Sequence, residues 1–165
     1  MATNLLNNVG VNMKYFQKDV VFQEVPGEIS LSYFICGCPL RCSGCHSPFT
    51  WNEQTGTPLS MEAFKETLFR YKGYLTCILF MGGEWHENEL IEFLHYARTM
   101  GLKTALYTGL DTISSQLLNE LTYVKTGPWI PALGGLDAPT TNQRFVQIDT
   151  GECLNAAFHK QPLAV

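Results

Sequence analysis

Between Leu75 and Met81 the chain reads Leu-Thr-Cys-Ile-Leu-Phe-Met, almost continuously apolar, and then stops at Gly82-Gly83. So short an apolar run, bounded by turn residues, reads as a strand covered on both faces, the mark of a parallel sheet. Parallel neighbours need crossover connections, so the flanking chain has to supply helices. Ser60 is placed to cap a helix through about Tyr71, with Met61, Phe64, Leu68 and Phe69 on one face and Gly73 at its end. A second helix, from about Asn88 to Met100, carries Leu90, Phe93, Leu94 and Ala97 at helical spacing and closes at Gly101. Residues 29–36 begin with polar/apolar alternation and end apolar, as a strand entering a core does. Lys103–Tyr107 and Thr122–Lys125 read as shorter strands, separated by a helix that Asp111 caps and that runs through Leu121. Arg144–Ile148 and Glu152 onward form a candidate hairpin around Asp149-Thr150-Gly151. The expected fold class is α/β: a mostly parallel sheet with right-handed helix crossovers, its functional edge at the carboxyl ends of the strands.

Composition narrows the function. At 165 residues and 45% hydrophobic, the chain is expected to be one domain, 1–165, with a core that needs no disulfide staples. A net charge of −4 without a basic run argues against nucleic-acid binding. No apolar stretch approaches the ~18 residues of a membrane span, and Met-Ala-Thr-Asn-Leu-Leu-Asn-Asn at the start lacks the charged and apolar parts of a leader. The expectation is a cytoplasmic protein with no nucleic-acid or membrane partner.

Four of the six cysteines, Cys36, Cys38, Cys42 and Cys45, fall within ten residues, which points to metal rather than to a disulfide framework. Cys38-Pro-Leu-Arg-Cys42-Ser-Gly-Cys45 spaces three thiolates on one loop. A [4Fe–4S] cluster is ordinarily held by four thiolates, so three leave one iron open to a small chelating molecule. The alternative is a closed zinc site with Cys36 or His46 as fourth ligand, although structural zinc normally draws on two separated pairs. Cys36, Cys77 and Cys153 otherwise read as buried small hydrophobes.

The triad resembles the cluster motif of the radical S-adenosylmethionine (SAM) superfamily. Its surroundings, Gly37 to Pro48 and on through Trp51, resemble the anaerobic ribonucleoside-triphosphate reductase activating proteins. Phe80-Met81-Gly82-Gly83-Glu84-Trp85, Gly101 to Leu110, Lys125-Thr126-Gly127-Pro128 and Leu133 to Phe145 continue that resemblance in order, over about residues 25–148. It implies a partial, incomplete β/α barrel of the radical-SAM type. It also implies that a reduced [4Fe–4S] cluster on Cys38, Cys42 and Cys45 splits SAM into methionine and a 5′-deoxyadenosyl radical. That radical takes hydrogen from a glycine of the reductase, the protein partner, with a flavodoxin-type protein as electron donor. The chemistry then belongs to cluster and SAM, and no side chain is catalytic in its own right.

Within that resemblance the cluster loop is 36–51, and the SAM-binding strand ends are 81–84, 107–109 and 125–127. Gly82 and Gly83 admit close backbone approach, and Glu84 accepts from the methionine ammonium. Lys125 pairs with the methionine carboxylate, and Tyr107 and Thr108 line the nucleoside pocket. Gly44 stands where many superfamily members have an aromatic near the adenine, leaving Trp51, Tyr107 and Trp85 as stacking candidates. His46 is expected to face solvent, and His95 to sit on a helix surface or in packing. A full eightfold barrel takes about 250 residues, so this chain builds only part of one. The unperiodic loop 128–142 is the candidate surface for the protein that closes the gap.

Overall fold

The structure, a computed structural model, describes residues 11–159. The reading of the first eight residues lies outside them. Seven strands form one sheet: β1 (Lys14–Val21), β2 (Ser30–Ile35), β3 (Thr57–Pro58), β4 (Cys77–Met81), β5 (Lys103–Tyr107), β6 (Tyr123–Thr126) and β7 (Arg144–Gln147), in the spatial order β3-β1-β2-β4-β5-β6-β7. The central pairs β2–β4, β4–β5 and β5–β6 are parallel, while β1, β3 and β7 join antiparallel. The sheet is therefore mixed around a parallel centre, and its two edge strands, β3 and β7, are not paired to each other.

The parallel centre follows from the apolar runs. Cys77, Ile78, Leu79 and Phe80 are all fully buried, because β4 is covered on both faces. The crossovers are α1 (Met61–Arg70), α2 (Glu87–Thr99) and the short α3 (Ser115–Asn119). Ser60 caps α1 by accepting from the Ala63 N–H at 3.1 Å. Phe64 and Leu68 of α1 pack with Phe93 and Leu94 of α2 against Tyr33 and Phe80 in the main core. A smaller cluster on the other face gathers Leu79, Ala105, Tyr123, Leu136 and Phe145.

Four expectations need correction. Phe69 is 74% exposed, since one residue beyond Leu68 turns the side chain about 100° away from the buried stripe. The helix between β5 and β6 begins at Ser115, not after Asp111, because Ser114 is the cap: its hydroxyl accepts from the Leu117 N–H at 3.1 Å and donates to Glu87 at 2.7 Å. β7 pairs with β6, and the chain after Glu152 returns to β7 through a single bridge, Val146 to Cys153, rather than as a second hairpin strand. Cys153 is exposed, unlike Cys36 and Cys77, which are buried as expected.

This topology aims every polar strand end the same way. The segments following β2, β4, β5 and β6 emerge at one carboxyl edge, where the last hydrogen bonds of the parallel ladder run from Gly82 N–H to the Tyr107 carbonyl and from Thr108 N–H to the Lys125 carbonyl, both 2.8 Å.

Candidate functional site

At that edge lies a cavity of about 600 Å³. Cys38, Cys42 and Cys45 line it from the loop after β2, Gly82 and Glu84 from the end of β4, Tyr107 and Thr108 from β5, and Lys125 from β6. Residues separated by up to 87 positions in sequence thus share one wall. Of the expected site residues only Gly83 stands back. A methyl group placed on it would lie 3.2 Å from Ile35 Cγ1, so it packs against the core while Gly82 faces the cavity. Both glycines hold positive φ (81° and 112°), which lets the chain turn sharply from β4 to Glu84.

The cysteine loop is held from both ends. Gly37 and Cys38 donate backbone N–H groups to the Thr50 carbonyl at 2.7 and 3.2 Å, and the Ser47 N–H points at Cys45 Sγ at 3.3 Å. Burial pushes the Cys38 thiol up, and the backbone N–H groups of Leu40 and Arg41 pull it partly back. Three soft thiols on one cavity wall, with N–H donors aimed at two of them, fit an iron–sulfur cluster. Cys36 does not join them. It is 1% exposed, does not line the cavity, and its sulfur sits 3.9 Å from the Thr55 hydroxyl on the far side. Among the described residues no three Cys, His, Asp or Glu side chains form a group suited to a single metal ion.

Glu84 and Lys125 give the cavity a charged wall. Glu84 Oε1 accepts from the Thr108 hydroxyl at 2.6 Å, and its Oε2 is buried with no partner. Burial raises its carboxyl above the usual range, against the Thr108 hydrogen bond and the nearby lysine. Lys125 is 9% exposed, which settles against a surface lysine. Its Nζ donates to the Thr108 and Gly127 carbonyls at 3.2 and 2.9 Å, leaving one N–H without a partner among the described residues. Burial brings its pKa down to about 8, against the pull of Cys42, Glu84 and Cys45. A carboxylate and an ammonium, each with unused hydrogen-bonding capacity, complement the two charged groups of an amino acid.

The apolar wall differs from the expectation in its aromatics. Tyr107 lines the cavity with its ring, because its hydroxyl is committed to the Glu24 carbonyl. Trp85 also lines it, its indole N–H tied to the Cys36 carbonyl at 3.1 Å. Trp51 lies on a second, separate hollow behind the cysteine loop with Arg41 and Glu53. His46 is exposed yet packs on Trp129, ring centroids 4.2 Å apart, at the cavity rim. Trp129, Asp137 and Gln143 from the region of the 128–142 loop, Gln23 and Glu24 after β1, and Phe158 also line the cavity. Sequence reasoning missed these as individual site residues; the unperiodic stretch 128–142 was the one signal for Trp129 and Asp137, and the others had none.

The chain matches the 4Fe-4S single cluster domain family over residues 25–129. It is similar to the pyruvate formate-lyase-activating enzyme of Clostridium pasteurianum, 38% identical over 81 residues, 46% of this chain and 34% of that enzyme. The enzyme of the same description in Listeria monocytogenes is 33% identical over 87 residues, 49% and 35% of the two chains. The 7-carboxy-7-deazaguanine synthase of Hyperthermus butylicus is 30% identical over 96 residues, 53% and 40%. The matches to the two activating enzymes thus span only about a third of those relatives' length.

Proposed function

Because the chain belongs to the 4Fe-4S single cluster domain family, we propose that it is a radical SAM activating enzyme that installs a glycyl radical on an anaerobic ribonucleoside-triphosphate reductase. The observation that carries the reading is one cavity combining three thiols with an amino-acid-complementary pair, Glu84 and Lys125. When bound, the cluster supplies the electron that splits SAM into methionine and a 5′-deoxyadenosyl radical, which takes a hydrogen atom from the partner glycine. Cys38, Cys42 and Cys45 hold the cluster, Glu84 Oε2 receives the methionine ammonium, and the free N–H of Lys125 receives the carboxylate. The rings of Tyr107 and Phe34, with Met81 and Leu136, offer the apolar surface for the nucleoside.

A protein substrate suits the exposed surface. Leu40 on the cysteine loop, Leu110 after β5 and Ile130 on the 128–142 loop are each more than a third exposed, around or beside an open-edged sheet. A docked protein would cover this apolar rim and keep water and quenchers from the radical. The reductase as target is favoured by the sequence blocks from Lys125 to Phe145, and a flavodoxin-type protein is the proposed electron donor. The similarity to pyruvate formate-lyase-activating enzymes favours a second reading, a different glycyl-radical target. Anaerobic reconstitution with reductant and SAM, mixed separately with the reductase and with pyruvate formate-lyase, decides by electron paramagnetic resonance (EPR). A glycyl doublet on the reductase alone supports the first reading, one on the lyase alone the second, and SAM cleavage with neither overturns both.

A further inference from the structure

Beside the three thiols the cavity holds a buried donor with nothing to receive its hydrogen. We propose that the Trp129 indole N–H donates to a sulfur of the iron–sulfur centre, thiolate or sulfide, and thereby raises the centre's reduction potential. The proposal rests on the cluster reading and goes beyond it, by assigning a tuning residue outside the cysteine loop.

Three observations converge on Trp129. Its Nε1 is buried and has no partner among the described residues. Such an orphan is rare in folded proteins and calls for an acceptor that completes it. The indole lines the same cavity as Cys38, Cys42 and Cys45. And it is seated on the cysteine loop itself: a methyl group placed on Gly44, between Cys42 and Cys45, would stand 3.5 Å from Trp129 Nε1 and 3.3 Å from Pro131 Cγ. Gly44, at φ 68°, is therefore the gap through which the indole nitrogen reaches the loop.

The neighbouring groups leave sulfur as the acceptor. His46 packs against the ring without accepting from it, Glu84 accepts from Thr108 through Oε1 while its Oε2 makes no hydrogen bond to the indole, and a methyl group placed on Gly135 would stand 3.5 Å from Asp137 Oδ1 and 3.6 Å from Trp129 Cζ3, a benzene-ring carbon remote from the N–H. Thiolate and sulfide are strong, softly charged acceptors, and hydrogen bonds to them stabilise the more negative, reduced state. The aromatic absent at position 44 is thus supplied from a distant loop, with its polar edge toward the loop that carries the ligands.

The test compares wild type, Trp129→Phe and Trp129→His after anaerobic reconstitution without SAM, by EPR-monitored redox titration and iron content. The Phe variant keeps the ring and loses the donor; it should load the same iron, and its reduced-to-oxidised ratio at the wild-type midpoint should fall several-fold, a tenfold fall corresponding to about 59 mV. The His variant, which restores an N–H, should recover part of the shift. An unchanged midpoint in Trp129→Phe overturns the proposal, whereas failure of wild type to take up iron overturns the cluster reading instead. Should Trp129→Phe itself fail to load, the wild-type indole carries the test. In a Trp51→Phe, Trp85→Phe background, which leaves Trp129 as the one tryptophan, the reduced centre of the 15N-labelled protein must show a hyperfine coupling to the indole nitrogen by pulsed EPR, and its absence overturns the proposal.

Discussion

Replacing Lys125 with Met isolates the energy stored in the charged wall of the cavity. The side chain is 9% exposed, and burial takes its pKa from the ordinary 10.5 to about 8. At roughly 1.4 kcal/mol per pH unit, keeping it charged costs the fold about 3 kcal/mol at neutral pH. The folded-state pKa is the lower one, so the unfolded chain binds more protons between pH 8 and 10.5. Wild-type stability therefore rises with pH through that window relative to a chain without the lysine. From pH 7 to pH 9 the gain is about 1.4 kcal/mol. Net stability at pH 7 is the wrong observable, because Met also deprives the Thr108 and Gly127 carbonyls of a donor, at about 1–3 kcal/mol each. The pH dependence of the difference escapes that cancellation. Urea unfolding of the cluster-free, reduced proteins at pH 7 and pH 9 measures it. A wild-type minus Lys125→Met difference that stays flat between the two pH values would refute the placement of a charged, desolvated ammonium at the end of β6.

Alanine at any one of Cys38, Cys42 or Cys45 should abolish SAM cleavage and deplete iron, while Cys36→Ala should retain both; iron analysis and 5′-deoxyadenosine release read this. Glu84→Gln should weaken SAM binding at least tenfold, about 1.4 kcal/mol for a charge-assisted hydrogen bond, with iron content unchanged. SAM affinity should fall above pH 8 as Lys125 loses its proton, and equilibrium binding at pH 7 and pH 9 checks the direction. Ser60→Ala should lower the unfolding free energy by about 1 kcal/mol through loss of the α1 cap, without altering SAM affinity.

The parallel centre of the fold was legible because burial on both faces forces an unambiguous pattern. Lys103–Tyr107 coincides with β5, and the helices expected at Ser60–Tyr71 and Asn88–Met100 match α1 and α2 to within a residue or so at each end. Of the antiparallel margin, β7 was legible too, read as Arg144–Ile148 and found at Arg144–Gln147, but β1 and β3 were not. β1 reads Lys-Tyr-Phe-Gln-Lys-Asp-Val-Val, has no buried residue, and its pairing with β2 shifts register between Tyr15 and Gln17. A bulged, charged strand near a sheet margin loses the period of two by which a strand is recognised, and the charges that hide it are those that protect an edge from pairing further. β3 is two residues long and exists only through its pairing with Lys14 and Tyr15.

The same contrast governs the site. Cys38, Cys42 and Cys45 could be singled out directly because their thiols fall within eight residues, and the structure sets all three on one cavity wall. Glu84, Thr108 and Lys125 could be read through their shared place after successive parallel strands, where topology alone guarantees convergence. Trp129 had no such signal. Its role depends on Gly44 leaving room beneath it and on the backbone from Pro128 to Asn142 closing on itself through the Asn142 amide, which donates to the Pro128 carbonyl at 3.0 Å. A residue whose partner is a missing side chain 85 positions away leaves no periodicity and no spacing to detect. What sequence registers as a glycine before the third cysteine, the structure registers as a seat for an aromatic from elsewhere. A glycine in a ligand loop is therefore a reason to look for the side chain that fills its space in the loops that the fold brings over it.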